Sequence, residues 1–404
     1  MVADDLQLQA GARVLHIGPH KTGTTMIQDA LHLARERLAA QGVVYPGTGR
    51  QPLRAMLAVT GQPTLFGEPD PDMADWALLV REVTAAGDQR VVVSSEFLAE
   101  ASDVAACRVV RDLGGPRVHV VVTLRPLTRI LPSQWQQYLQ NGYRFPYLEW
   151  LEGILKDPPD TPTPGFWRRH RHDELVARWM NAAQNLTVVV VDDDDRMMLL
   201  RTFESMLGLP RGFLVPGANA ANRSLTLAEA EVVRLLNEEF KRRKWPSRHY
   251  ARFVRYGAVQ QMKTRQPEPG EPRIATPVWA LKRATEIGAE MAENIAALGV
   301  PVIGDLSSLS DLPESDAEPA PPMLPADAAV QAIVGAFRAG GVTGLKTADA
   351  LRDVDARSMT RVLAQRGRQR MQRTLHLRKA LGGREAGRPR LPAREPGTPG
   401  QIIS

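Results

Sequence analysis

Lys21, Gly23 and three threonines, Thr22, Thr24 and Thr25, stand together just after the apolar run Val14-Leu15-His16-Ile17 and the turn Gly18-Pro19. Apolar residues Ile27, Leu31, Ala34 and Leu38 then recur at helical spacing. A strand, a polar glycine-containing loop and a helix N-terminus, in that order, suit an anion. Unpaired N–H groups and the positive end of the helix dipole point at it. Lys21 adds a mobile positive charge, the threonines add hydroxyl donors, and Gly23 lets the backbone come close. An ordinary nucleotide-binding loop reads GxxxxGK[ST], with lysine after the second glycine. Here Lys21 precedes Gly23, so the ligand is expected to be phosphate-like, while the loop is not that of an ordinary NTPase.

A second constellation lies about a hundred residues on. The β-branched run Val118–Leu124 delivers Arg125, and Ser133 follows eight residues later. The arginine fork matches a phosphate, and a serine two helical turns on can reach the same anion. Read blandly, the pair is a surface arginine and a serine near a helix N-terminus. Third, Ser94-Ser95-Glu96 ends the apolar run Val91–Val93. Open α/β sheets place their ligand crevice at that end of their strands. Glu96 is the first candidate for a general base, against capping the next helix or pairing with an arginine. His20 is the second candidate, against a loop residue that only hydrogen-bonds a ligand. His16, inside the strand, reads as a core residue.

The order PxKTGTT over Pro19–Thr25 resembles the 5′-phosphosulfate loop of sulfotransferases that use 3′-phosphoadenosine 5′-phosphosulfate (PAPS). The form IGPHKTGTT is most similar to the carbohydrate and bacterial branches. An arginine at a strand end with a serine eight residues later is, in that family, the 3′-phosphate pair. The resemblance covers about residues 12–305. It implies transfer of a sulfuryl group from PAPS, in line, to a hydroxyl (or amine) of a glycan or small-molecule acceptor, with no metal. It also assigns roles. Lys21, Thr22, Gly23, Thr24 and Thr25 hold the 5′-phosphosulfate, and Arg125 and Ser133 hold the 3′-phosphate. Glu96 is the base with His20 as runner-up, and Lys21 stabilises the departing oxygen. Arg223, within Asn222-Arg223-Ser224, adds a second 3′-phosphate contact or belongs to a helix cap. The family's late GxxGxxK segment is not evident, which leaves the adenosine-side contacts after Ser133 unassigned.

The elements that must position these residues follow from periodicity. Strands are expected at Arg13–Ile17, Val91–Ser95, Val118–Leu124 and Leu186–Val191. Helices are expected after the loop to about Ala40, over Asp75–Ala86, Ala99–Leu113, Pro126–Gln140 with a kink at Pro132, Asp173–Ala183, from Thr202, over Leu227–Phe240 and over Val278–Leu298. Strands apolar on both faces and alternating with helices imply an α/β fold, a P-loop NTPase-like parallel sheet covered by helices on both faces. Residues 46–72 lack periodicity and read as a mobile lid or acceptor-binding segment. The stretch Phe166–His172 is a second candidate for the acceptor pocket, its arginines hinting at an acidic acceptor.

The 404 residues carry 51 Lys+Arg against 45 Asp+Glu, a net charge of +6. Residues 321–404 hold 15 Lys+Arg and 6 Asp+Glu, so the basic character belongs to the C-terminal part. The expected organisation is a domain over 1–312, a Pro-rich linker over 313–326 and a basic helical tail over 327–404 with a disordered end. Helices are expected there at Ala328–Ala339 and Thr347–Leu381. The tail suits a weak contact with an anionic membrane or a protein. The helix expected at Thr347–Leu381 lacks the interleaved aromatics of a base-stacking surface, so no nucleic-acid partner is expected. One cysteine, Cys107, excludes an intrachain disulfide. With no leader pattern and no long apolar run, a cytoplasmic location is expected. Two other readings compete. The strand ending in Asp192 resembles the metal-holding acid of a kinase or NTPase, against a solvated acidic turn. Alternatively the fold persists as a non-catalytic binding protein whose tail does the work.

Overall fold

The computed structural model describes residues 6–64, 69–157, 159–160, 163, 165–217, 223–313 and 325–340. Six strands, β1 (Arg13–Ile17), β2 (Val43–Val44), β3 (Arg90–Ser94), β4 (Val118–Leu124), β5 (Asn185–Val190) and β6 (Val302–Ile303), form one sheet. All pairings are parallel, in the order β2-β3-β1-β4-β5-β6. The expected α/β architecture is therefore present. The central strands are sealed on both faces. Leu15, Ile17, Val91, Val93, Val120 and Val122 pack beneath helices Leu53–Thr60, Met73–Ala85, Asp103–Leu113 and His172–Ala182. Val14, Val92, Val121 and Val189 pack beneath Thr24–Leu33 and Met198–Leu207. Period-two alternation sends neighbouring residues of one strand to opposite layers.

The chain leaves β1 toward the β2 edge and leaves β4 toward the β6 edge. The connections diverge between β1 and β4, which makes the crevice at their carboxyl ends the natural ligand position. The loop after β1 carries Lys21 and the loop after β4 carries Arg125.

A second apolar core lies within the helices. It joins Leu127, Leu131, Trp135 and Trp150 to Val233, Val254, Val259 and Met291. It includes a ten-residue π-helix, Tyr250–Val259, an element that is rare and tends to occur at functional sites.

Several expectations change. The helix after the first loop is two helices, Thr24–Leu33 and Arg35–Ala40, broken at Ala34. Residues 46–72 hold a helix, Leu53–Thr60, whose Ala55, Met56, Leu57 and Val59 are buried. A single apolar patch two turns long, flanked by Gly and Pro, leaves too short a pattern to read as helical. Residues 65–68 lie outside the description. The helix expected at Ala328–Ala339 spans Ala326–Gly340, but it is no separate tail. It belongs to the same compact unit as the sheet, packed on the π-helix. Glycines allow this crossing, because a Cβ at Gly335 would lie 2.5 Å from Gly257 O. Most of the proposed linker, the helix expected at Thr347–Leu381 and the chain end lie outside the described residues. Cys107 is exposed, on the outer side of Asp103–Leu113. No helix among the described residues is long and apolar enough to cross a membrane.

The crossing gives a test. Gly335→Ala should overpack it and cost about 1–3 kcal/mol. Equilibrium denaturation measures the loss, and hydrogen exchange should rise first in Ala326–Gly340.

Candidate functional site

A chain of buried polar groups supports the loop after β1 from beneath. The Thr22 hydroxyl donates to Pro19 O at 2.8 Å. Its oxygen therefore accepts from the Thr123 hydroxyl, also at 2.8 Å. Thr123 Oγ1 in turn accepts from His16 Nε2 (3.2 Å), and His16 Nδ1 accepts from the Ser94 hydroxyl (2.8 Å). One direction of donation satisfies every link, with His16 neutral and protonated at Nε2. Burial supports that form by pushing the imidazole pKa down to about 3. The links draw on β3, β1, β4 and the loop, so the sheet's register sets the loop's height.

The loop is shaped from within as well. The Thr24 hydroxyl donates to Gly18 O at 3.2 Å. Any side chain at position 18 would collide with Thr24 Oγ1 and lie 2.7 Å from Thr123 Oγ1. Lys21 has φ 75°, a left-handed backbone uncommon outside glycine, and Gly23 follows at φ 88°. Helix Thr24–Leu33 then begins with no side chain capping it. Its first N–H groups are left for another acceptor. Thr25 is exposed at that terminus.

Three of the nominated residues meet here. Arg125 Nη1 donates to Lys21 O at 3.4 Å. The Lys21 ammonium donates to Gln137 Oε1 at 3.2 Å. Its pKa is lowered to about 8, chiefly by burial and then by Lys263, with Glu96 raising it and Arg125 and Arg255 lowering it further. Glu96 opens the 3-10 turn after β3. Its carboxylate accepts from Gln28 Nε2 at 3.0 Å and Gln51 Nε2 at 3.2 Å. Ser95, not Glu96, makes the cap of this turn, and among the described residues no arginine forms an ion pair with Glu96. His20 lies beside this turn, edge-on to Phe97 at 5.6 Å, with Nδ1 buried and no hydrogen-bond partner among the described residues. Burial, then Arg169 and Lys21, push its pKa far down, so it is neutral and a poor proton acceptor. Ser133 donates to Ile130 O at 2.9 Å. It lies one turn from Gln137 on the same helix.

Other expectations are corrected. The hydroxyl protons of Thr22 and Thr24 are committed to the loop itself, so these two hydroxyls shape the loop, while the Thr24 backbone N–H stays at the helix terminus. Arg223 is held by Glu229 through two hydrogen bonds at 2.7 Å and by the carbonyls of Met262, Ser224 and Arg265. Its donors are engaged in a packed ion cluster with Glu229, the residue that completes the capping box at Thr226, which agrees with the helix-cap alternative. Glu229 is fully buried between Arg223 and Arg265. Asn222 lies outside the described residues. Arg168 and Arg169 hold the 3-10 turn after Glu96, at Glu100 O, Ala101 O and the Glu100 carboxylate. The Phe166–His172 stretch thus packs on the turn that carries Glu96. Asp192 accepts from the N–H groups of Asp194 and Asp195 and closes its own turn. Asp193 forms an ion pair with Arg125 at 2.7 Å.

Gln28, Gln51 and Gln137 were missed from sequence. Gln28 had a signal: it sits one turn after Thr24 on the buried face of an otherwise apolar stripe. Compared with protein-family models and with curated proteins, the chain matches none.

Two outcomes follow from the buried network. Thr123→Val removes the central link and leaves His16 N–H without an acceptor. It should cost about 1–3 kcal/mol in denaturation measurements. His16 and His172 (about 4, again by burial) have pKa values below the unfolded histidine range. The unfolded chain then binds more protons between about pH 6.5 and these values. Stability should be full above pH 6.5 and fall on acidification, by up to about 1.4 kcal/mol per pH unit for each histidine. A pH-independent denaturation midpoint between pH 7 and pH 5 would contradict this.

Proposed function

We propose that this protein is a PAPS-dependent sulfotransferase acting on a hydroxyl acceptor. The observation that carries the reading is the convergence on Lys21. A lysine in a strained loop at an uncapped helix N-terminus has Arg125 on its own carbonyl and the Glu96 carboxylate in electrostatic reach. The sequence separates these residues widely, and they come from the ends of three adjacent strands, β1, β3 and β4.

In this reading the 5′-phosphosulfate rests on the first-turn N–H groups of Thr24 and Thr25 and the Thr25 hydroxyl, with Lys21 against its bridging oxygen. The 3′-phosphate takes Arg125 from Asp193 and meets Ser133 once its hydroxyl turns from Ile130 O. The acceptor O–H gives its proton to Glu96 as its oxygen bonds to sulfur. The bond from sulfur to the bridging oxygen breaks, and the electron pair goes to the 5′-phosphate. The products are a sulfate ester and adenosine 3′,5′-bisphosphate. Lys21 meets charge that grows as the bond breaks, so its help is realised mainly in the transition state. Gln28 and Gln51 fix the Glu96 carboxylate by neutral donors, which orient it without neutralising it.

A thermal-shift titration with adenosine 3′,5′-bisphosphate, against ATP with and without Mg²⁺, tests the reading. The bisphosphate should stabilise the protein without metal, by about 2.7 kcal/mol at a hundredfold excess over Kd. That effect should fade as pH rises through about 8, where Lys21 loses its proton. Stabilisation by Mg-ATP alone would favour a kinase or NTPase. With PAPS and an acceptor, Lys21→Ala should lower turnover by about 10²–10³-fold. Arg125→Ala should mainly weaken PAPS binding, and Asp193→Asn should strengthen it. Wild-type kinetics in both the Lys21 and Arg125 variants would overturn the site.

A further inference from the structure

An apolar cavity of about 540 Å³ opens between helix Leu227–Arg242, the π-helix and helix Ala326–Gly340. Val232, Leu236 and Phe240 line it at helical spacing, and Phe253, Val254 and Ile333 form the facing walls. Its volume is that of a ligand pocket, yet His249 is the one polar side chain in its wall. The apolar surface continues outward. Trp245, Ile333 and Phe337 are 48%, 55% and 59% exposed, and nothing among the described residues covers them. Ile333 and Phe337 stand one turn apart on the same helix face. Exposed apolar side chains gathered in this way mark a contact surface.

Positive charge is built along the same border. The stretch Lys241-Arg242-Arg243-Lys244-Trp245-Pro246-Ser247-Arg248-His249 is exposed at every residue and holds no acid. Arg242 and Arg243 share Glu239, while Lys241, Lys244 and Arg248 have no ion pair among the described residues. Two arginines lie directly on the cavity's aromatic walls. The Arg243 guanidinium is 5.2 Å from the centre of the Trp245 ring, and that of Arg252 is 5.4 Å from the centre of Phe253. Trp245 in turn packs edge-on to Phe240 at 4.8 Å, so charge and cavity form one surface.

Charge selects the occupant. A second copy docking face to face would bring the same positive sign. The chain beyond Gly340 holds 14 Lys+Arg against 5 Asp+Glu, so this face repels it as well. A nucleic acid matches the charge but leaves the apolar cavity and the side chains around it unused. A bilayer containing anionic lipids matches both. Its headgroups attract the cations, its acyl region takes the apolar side chains, and tryptophan favours the boundary between the two. We infer that this face docks on an anionic membrane surface. Trp245, Ile333 and Phe337 enter the lipid, and Lys241, Lys244 and Arg248 meet the headgroup phosphates. This docking surface does not depend on the sulfotransferase reading.

Co-sedimentation of the full chain with phosphatidylcholine vesicles, against vesicles in which about one third of the lipid is phosphatidylserine, tests this. The wild type should bind the anionic vesicles, less so as salt is added, and leave the neutral ones largely unbound. Replacing Lys241, Lys244 and Arg248 together by Gln should lower the affinity by about a hundredfold. Ile333→Ser with Phe337→Ser should lower it by at least about tenfold. Bromine on the acyl chains should quench the tryptophan fluorescence of the wild type and do so far less in Trp245→Phe. All these positions are exposed, and melting curves check that the variants fold. The salt dependence and the quenching of the wild type decide the matter if they do not. Failure of the wild type to bind anionic vesicles overturns the docking surface. Binding that neither set of substitutions changes also overturns it, by giving the contact to the chain beyond Gly340. Tighter binding to duplex DNA than to vesicles, with no bromine quenching, overturns it in favour of a nucleic acid.

Discussion

The hydrogen-bonded chain from Ser94 through His16 and Thr123 to Thr22 and Pro19 O underlies everything above it. It is buried, satisfied at each link and directed one way, which makes it rigid. It fixes the polar loop from beneath, on the side where the loop meets the sheet. Because its members come from three adjacent strands, sheet packing and loop geometry are one constraint. The left-handed backbone at Lys21 is tolerable on such a support.

Charge is arranged around that loop by a consistent rule. Residues nearest Lys21 meet neutral partners: Glu96 has two glutamines and Lys21 has a third. Farther out, Arg169 is balanced by Glu100, and Arg223 and Arg265 by Glu229. Carboxylates thus balance the arginines of the frame, and amides hold the groups that face the crevice. Arg125 stands between the two, touching the loop and yet paired with Asp193. On the proposed reading, a ligand phosphate there would have to displace the Asp193 carboxylate, which would favour a doubly charged group over a singly charged one.

The parallel sheet was legible because β1, β3, β4 and β5 are short apolar runs separated by helical periods. Lys21, Glu96 and Arg125 were legible as neighbours because each lies within four residues of the end of such a run. The hydroxyls of Thr22 and Thr24 were misassigned, since composition does not tell a donor aimed at a ligand from one bound to Pro19 O or Gly18 O. The setting of Arg223 was hidden for the same reason: its partner Glu229 is six residues on, but Arg265 and Met262 are about forty away. The helix Leu53–Thr60 was hidden by its brevity.

The central claim is that the Lys21 loop holds the 5′-phosphate end of a nucleotide whose 3′-phosphate is held by Arg125. A crystal structure of the protein with adenosine 3′,5′-bisphosphate tests it directly. The account predicts the 5′-phosphate on the N–H groups of Thr24 and Thr25 and on Lys21 Nζ, with the 3′-phosphate on Arg125 and Asp193 turned away. A bisphosphate bound elsewhere, or bound here with the Arg125–Asp193 pair intact and Lys21 still on Gln137 alone, would contradict it.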